Sequence, residues 1–164
     1  MSKVMKFNLT NRRVRNATQC EYDGKKFKSK LEMFCYKELK LAKLDFTYEG
    51  NTYELINSFY PTIPVYELDK KTRLLKPDLT KIRACTYTPD SVVKKNGKVF
   101  IIEVKGMEQD AWKLKWKMFR QYVQNFSTCN ALFLVKNQRQ IKECIEIIKL
   151  NKEVDYGNTK NGLS

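Results

Sequence analysis

Residues 87–106, YTPDSVVKKNGKVFIIEVKG, limit what this chain can fold into more than any other stretch. Asn96-Gly97 sits between two runs rich in β-branched residues, and Asn-Gly is the strongest short signal for a two-residue hairpin turn, whose central positions both need positive φ. Such a loop pairs Lys95 with Lys98. Stepping outward along both strands then places Val92 opposite Ile101 and Asp90 opposite Glu103. Side chains alternate along a strand, so Val99, Ile101, Glu103 and Lys105 share one face, while Phe100, Ile102 and Val104 share the other. Asp90, Glu103 and Lys105 therefore converge at one end of the hairpin.

Directly opposed carboxylates, with Cβ atoms ~5 Å apart, destabilise a strand pair unless a cation lies between them. Mg²⁺ is suited to that place, because it takes one or two carboxylates and leaves its other positions to water and phosphate. The ammonium of Lys105 would orient an attacking water or neutralise charge developing on a phosphate. The plainer alternative makes Asp90 a turn cap after Pro89, with Glu103 and Lys105 ordinary charges at a strand end.

Pro89-Asp90 followed across a hairpin by Glu103-Val104-Lys105 resembles the PD-(D/E)xK nuclease motif. Within that superfamily the chain, over roughly residues 28–135, is most similar to the phage endonuclease I type Holliday junction resolvases and related small phage nucleases. The resemblance implies metal-dependent hydrolysis of DNA phosphodiesters, in branched DNA, by a homodimer in the cytoplasm of a phage-infected host. It implies Mg²⁺, replaceable by Mn²⁺, on Asp90, Glu103 and the backbone carbonyl of Val104, with Lys105 as the catalytic lysine. It also implies an acidic residue from the preceding helix. Ser29-Lys-Leu-Glu32 has the spacing of a capping box, so a helix starts near Lys30, with Leu31, Phe34, Cys35, Leu39 and Ala42 facing the core. Glu32 is the favoured acid and Glu38 its rival. A structural role for Glu32, returning a hydrogen bond to the Ser29 backbone, stays open.

Composition narrows the chemistry further. Thirty-two Lys and Arg against eighteen Asp and Glu give a net charge of +14, far beyond what solubility requires, so nucleic acid is the natural partner. No histidine occurs, which removes His-metal nucleases and Ser-His-Asp or Cys-His catalysis. Cys20, Cys35, Cys85, Cys129 and Cys144 are odd in number and never in CxxC spacing; reduced thiols in a cytoplasmic compartment follow, with neither structural zinc nor an organic cofactor expected. No segment approaches the ~18 apolar residues of a membrane-spanning helix, and membrane binding is set aside.

One domain is expected, with three parts. Residues 1–20 form a basic N-terminal arm carrying Arg12, Arg13 and Arg15, read as DNA-contacting, with a frayed terminus or a presequence as alternatives. Residues 21–150 form the nuclease domain, and 151–164 a flexible tail. Asp23-Gly24 marks a small hairpin. The aromatic run 46–56 reads as one interrupted strand or a hairpin. Tyr48, Tyr53, Tyr60 and Tyr66 invite base stacking, although packing against a sheet is the commoner fate. Pro61, Pro64 and Pro77 around the charged run 67–73 mark an insertion near 61–80. Lys76-Pro77-Asp78 within it repeats the Pro-Asp pair, without an acid at the matching hairpin position. Residues 81–88 are read as extending the strand into Asp90.

After Gly106, Asp110 caps a helix reaching about Asn125. Its stripe Trp112, Trp116, Phe119 and Val123 should bury. Lys113, Lys117, Arg120 and Gln124 form a second stripe, left in water to meet phosphates. Residues 131–135 read as a parallel, central strand, and 138–150 as a closing amphipathic helix. The fold class expected is α/β, a restriction-endonuclease-like mixed-sheet sandwich in the order αβββαβ plus a C-terminal helix. Two rival functions remain: a non-catalytic nucleic-acid-binding or packaging accessory protein, and a sequence-specific restriction or homing-type endonuclease.

Overall fold

The computed structural model describes residues 19–126 and 128–150. The basic arm with Arg12, Arg13 and Arg15, and the tail from 151, lie outside those residues. Strands β1 (Cys20–Tyr22) and β2 (Lys25–Phe27) form the small hairpin at Asp23-Gly24, both of which take positive φ. The hairpin buries Phe27 under Tyr36 and Tyr48. Helix α1 (Lys30–Leu41) follows, with Ser29 as N-cap accepting the Glu32 N–H. An N-cap of this type removes one of the orphan donors that every helix start carries.

Strands β3 (Asp45–Tyr48), β8 (Ser91–Lys95), β9 (Lys98–Val104) and β10 (Cys129–Val135) make one four-stranded sheet in the order β10-β9-β8-β3. The β8–β9 turn at Asn96-Gly97 has positive φ at both residues, and its register runs Lys95↔Lys98 to Ser91↔Ile102. The two antiparallel pairs, β3–β8 and β8–β9, meet the parallel pair β9–β10, joined by the crossover helix α2 (Asp110–Phe126). Helix α3 (Gln138–Leu150) closes the described chain. A mixed α/β architecture is thus present.

The alternation of β9 sorts the interior into two cores. Phe100, Ile102 and Val104 pack with Val93 against Cys35 and Leu39 of α1 and Ile141, Cys144, Ile145 and Ile148 of α3. Ile101 and Val92 pack on the opposite side with Tyr87 and with Phe119 and Val123 of α2. Helices therefore cover both faces, which is why β9 is apolar almost throughout. No helix among the described residues is long and apolar enough to cross a membrane.

Three expectations about strands are corrected. Residues 46–56 make neither one strand nor a hairpin: β3 stays in the main sheet, whereas β4 (Tyr53–Ile56) pairs with β7 (Cys85–Tyr87) in a separate two-stranded sheet. The chain turns between them at Glu49, which has φ of 46°, and Gly50, where a Cβ would lie 2.9 Å from that of Thr47. Residues 81–88 likewise do not run on into Asp90. Pro89 has no N–H to give a ladder, and the strand breaks there before β8 begins. Finally, β10 is an edge strand of its sheet and largely half-buried. A continuous apolar run reports cover on both faces, which helices provide to an edge strand too.

The insertion is a third small sheet. Strands β5 (Val65–Leu68) and β6 (Leu75–Asp78) pair only with each other, and all their residues but Asp78 are exposed. The stem of this hairpin is closed by a bridge between Phe59 and Ile82.

Candidate active site

The end of the β8–β9 hairpin gathers ionisable groups that ordinary packing would exclude. Asp90, Glu103 and Glu32 are 9%, 6% and 8% exposed, and none forms an ion pair with a described Lys or Arg side chain. Asp90 stands one residue before β8, where the register continues to Glu103. Its carboxylate Oδ2 accepts the backbone N–H of Val104 at 2.7 Å, and its carbonyl accepts the N–H of Glu49. Asp90 therefore ties the ends of β9 and β3 together rather than capping its own turn.

Glu103 points to the α2 side. Its Oε1 accepts the indole N–H of Trp112 at 3.1 Å, while Oε2 is buried without a hydrogen-bond partner. The Tyr87 hydroxyl is likewise buried without a partner in hydrogen-bond geometry, yet it couples electrostatically to Glu103. Lys105 is half-buried, its backbone N–H bonded to the Val135 carbonyl and its ammonium 4.9 Å from the centre of the Trp112 ring. Trp112 in turn stacks on Trp116 at 5.8 Å. One indole thus holds Glu103 by its edge and Lys105 by its face, the two polar uses an aromatic ring offers.

The electrostatics follow from burial. Desolvation, then Glu103, then Glu32 push the Asp90 carboxyl up to about 8, against the partial relief of the Val104 N–H and Lys28. Desolvation also raises Glu103, offset by the Trp112 N–H, the nearby Tyr87 hydroxyl and Lys105. Burial and the neighbouring Glu103 raise the Tyr87 hydroxyl. A site that disfavours its own negative charges is a site that welcomes a cation.

Glu32 is nearby but committed. Its Oε2 accepts the Lys28 N–H and the Tyr48 hydroxyl, each at 3.1 Å, and Oε1 accepts the Ser29 hydroxyl at 3.1 Å. The return bond of the capping box goes to Lys28 rather than to the Ser29 backbone. Among the described residues, no three His, Cys, Asp or Glu side chains gather closely enough to hold an ion by themselves. Asp90 and Glu103 suit a cation in a different way. Their hard oxygens, one of them unpartnered, could serve an ion of the kind that keeps most of its ligands as water and phosphate.

This cluster and the sheet that carries it fall inside a recognised family. The chain belongs to the DUF1064 family, described as proteins of unknown function, which matches residues 12–141. No curated protein and no solved structure matches the chain. The DUF1064 match takes in Arg12, Arg13, Arg15, Glu32, Asp90, Glu103 and Lys105, and ends within α3.

The remaining predicted residues are placed as follows. Lys113, Lys117 and Arg120 are exposed on α2, Lys113 beside Asp110 at 3.3 Å. Lys117, Arg120, Gln121 and Gln124 line an open hollow of about 320 Å³. Trp112 and Trp116 are only half-buried, whereas Phe119 and Val123 are fully so. Glu38 is half-buried one and a half turns away, its carbonyl closing the end of α1. Tyr48 and Tyr53 pack, Tyr60 and Tyr66 are exposed. Sequence reasoning missed the polar roles of Trp112 and Tyr87. The available signal was chemical, since a buried indole or phenol seeks a partner for its N–H or O–H.

Proposed function

We propose that this DUF1064 protein is a metal-dependent DNA endonuclease, with branched DNA as the substrate class its resemblance to junction resolvases adds. The observation that carries the reading is the unpartnered, buried Oε2 of Glu103 next to Asp90, two buried carboxylates side by side with neither ion-paired to a described Lys or Arg side chain. Asp90 and Glu103 would hold Mg²⁺ or Mn²⁺, with the Val104 carbonyl as the further ligand that the resemblance to PD-(D/E)xK nucleases implies. Once bound, the ion would supply Lewis acidity at the phosphate and a more acidic water.

The chain's own residues do the rest. The Val104 N–H fixes one oxygen of Asp90, and Trp112 fixes one oxygen of Glu103, so the remaining oxygens are held ready for the ion. Lys105, steadied over the Trp112 ring, orients the attacking water and offsets charge on the phosphate. Glu32 shapes the site through the field it exerts on Asp90. Lys113, Lys117 and Arg120 follow the phosphate backbone, together with Arg12, Arg13 and Arg15 of the arm. Incubation with a four-way junction and with plain duplex, in Mg²⁺ and in EDTA, tests the proposal. Cleavage only with metal, and lost in Glu103→Ala, is expected; inertness throughout, or undiminished cleavage by that variant, overturns it.

The second reading, a nucleic-acid-binding protein without catalysis, draws on the commitment of Glu32 to the start of α1. It requires metal-independent binding that Asp90→Asn leaves unchanged or strengthens.

A further inference from the structure

The β5–β6 hairpin lies outside both cores, and its register makes it two-sided. Residues directly opposite in an antiparallel pair point the same way. Val65 faces with Asp78 and Glu67 with Lys76, giving one mixed face. Tyr66 faces with Pro77 and Leu68 with Leu75, giving an apolar one. Tyr66, Leu68 and Leu75 are 61%, 55% and 68% exposed, and Ile63 and Leu79 extend the exposed apolar surface at the base. A two-stranded sheet is marginal in water by itself, and an uncovered apolar face of this kind marks an interaction surface.

We infer that the apolar face of the β5–β6 hairpin is where a second copy of this chain docks, the two hairpins meeting across a twofold axis. Three observations select that occupant. Tyr66, Leu68, Leu75 and Pro77 are apolar on both sides of any such axis, so the face is complementary to itself, as an isologous contact requires. Charge favours it as well. The chain carries +14, yet the two strands hold Glu67 and Asp78 against Lys76 alone, so self-repulsion and attraction to a nucleic-acid backbone are both reduced here. The cations Lys70, Lys71 and Arg73 are confined to the tip, where Asp69 organises the loop by accepting the N–H groups of Lys71 and Thr72. Area is in range: Tyr66, Leu68 and Leu75, with Ile63 and Leu79 at the base, are each more than half exposed, and at on the order of 100 Å² apiece two copies would bury about 1,000 Å² in total, the lower end for a specific interface.

The surface is independent of the nuclease reading, and its test needs neither DNA nor metal. Sedimentation and light scattering of the full chain in EDTA should show a concentration-dependent dimer. Tyr66→Thr with Leu68→Thr and Leu75→Thr keeps β-forming residues in the strands and removes the apolar face; its dissociation constant should rise about 100-fold or more, with circular dichroism and the melting temperature of the monomer unchanged. A wild-type chain monomeric to about 100 μM, or a triple variant that dimerises as well as wild type, overturns the proposal. So does a variant that leaves self-association alone and weakens binding of a four-way junction, which would assign the hairpin to nucleic acid instead. If the triple variant does not fold, hydrogen exchange of the wild type decides. Protection of residues 65–68 and 75–78 that grows with protein concentration supports the contact, and concentration-independent exchange overturns it.

Discussion

Two hairpins in this molecule carry the same Pro-Asp pair and share almost nothing else. In the β8–β9 hairpin, Asp90 is buried, accepts an N–H from the opposite strand and is pushed up to about 8. In the β5–β6 hairpin, Asp78 bends onto its own neighbour Thr80, and its carboxyl is held below the ordinary value by the Thr80 hydroxyl and N–H. One aspartate stands one residue beyond the Ser91–Ile102 pair, beside Glu103, and the other pairs with Val65. The dipeptide ends strand β6 in one place and immediately precedes strand β8 in the other. A buried, raised aspartate arises where helices cover both faces of the strands and a second carboxylate is forced alongside.

The sharpest way to break that contrast is substitution at the two aspartates. Asp90→Asn or Glu103→Gln should lower junction cleavage on the order of 10³-fold, because each removes charge from the proposed metal seat. Asp78→Asn should stay within about twofold of wild type, as surface changes usually do. Single-turnover rates at saturating protein measure both, and comparable losses at the two sites would dissolve the distinction.

Stability against pH should separate the sites next. A carboxyl whose folded pKa lies above its unfolded value contributes stability that is fully present below the unfolded value and is lost as pH rises toward the folded one. For Asp90 that window runs from about 4 to about 8. Metal-free wild type should therefore lose stability relative to Asp90→Asn between pH 5 and pH 8, by about 1 to 3 kcal/mol in urea titrations. The lowered Asp78 carboxyl works in the opposite sense, and its contribution is lost as pH falls. At pH 8, Mg²⁺ at a hundred times its dissociation constant should raise the melting temperature by roughly 5–10 °C, and should leave Asp90→Asn unmoved.

Smaller effects probe how the buried site is held. Trp112→Phe keeps an aromatic face beneath Lys105 but removes the N–H bonded to Glu103, and a lost hydrogen bond to a charged group predicts a fall of about 10- to 100-fold in kcat with little change in KM. Trp112→Leu should fall further, since the cation then loses its ring as well. Lys117→Ala and Arg120→Ala should each weaken junction binding a few-fold and reduce the salt dependence by about one counterion. Lys70→Ala, at the tip of the exposed hairpin, should change neither.

What was legible in the sequence is the part fixed by short range. Asn96-Gly97 dictated the register that brings Asp90 to Glu103, because the turn type leaves no other pairing. Ser29 announced α1 as its N-cap, while Asp110, expected as a cap, lies in the first turn of α2; in both helices the apolar spacing told which face would bury. What was not legible depends on contacts distant along the chain. Nothing near Tyr48 says that it pairs with Ser91 rather than running on into Tyr53. Nothing near Leu132 says that β10 has a neighbour on only one side. The donors that finish the site, Trp112 on Glu103 and Tyr48 on Glu32, come from elements whose mutual placement only the folded chain fixes.

The bridge between Phe59 and Ile82 has a consequence for how this fold can vary. Each donates its N–H to the other's carbonyl, at 3.1 and 2.8 Å, so the chain enters and leaves the exposed hairpin at one point. Closing a loop costs only about 0.6 kcal/mol for each doubling of its length. The segment beyond the bridge is therefore a cassette, free to lengthen, shrink or be exchanged at little thermodynamic cost. The surface proposed for self-association can drift there while the strands that carry Asp90 and Glu103 stay as they are.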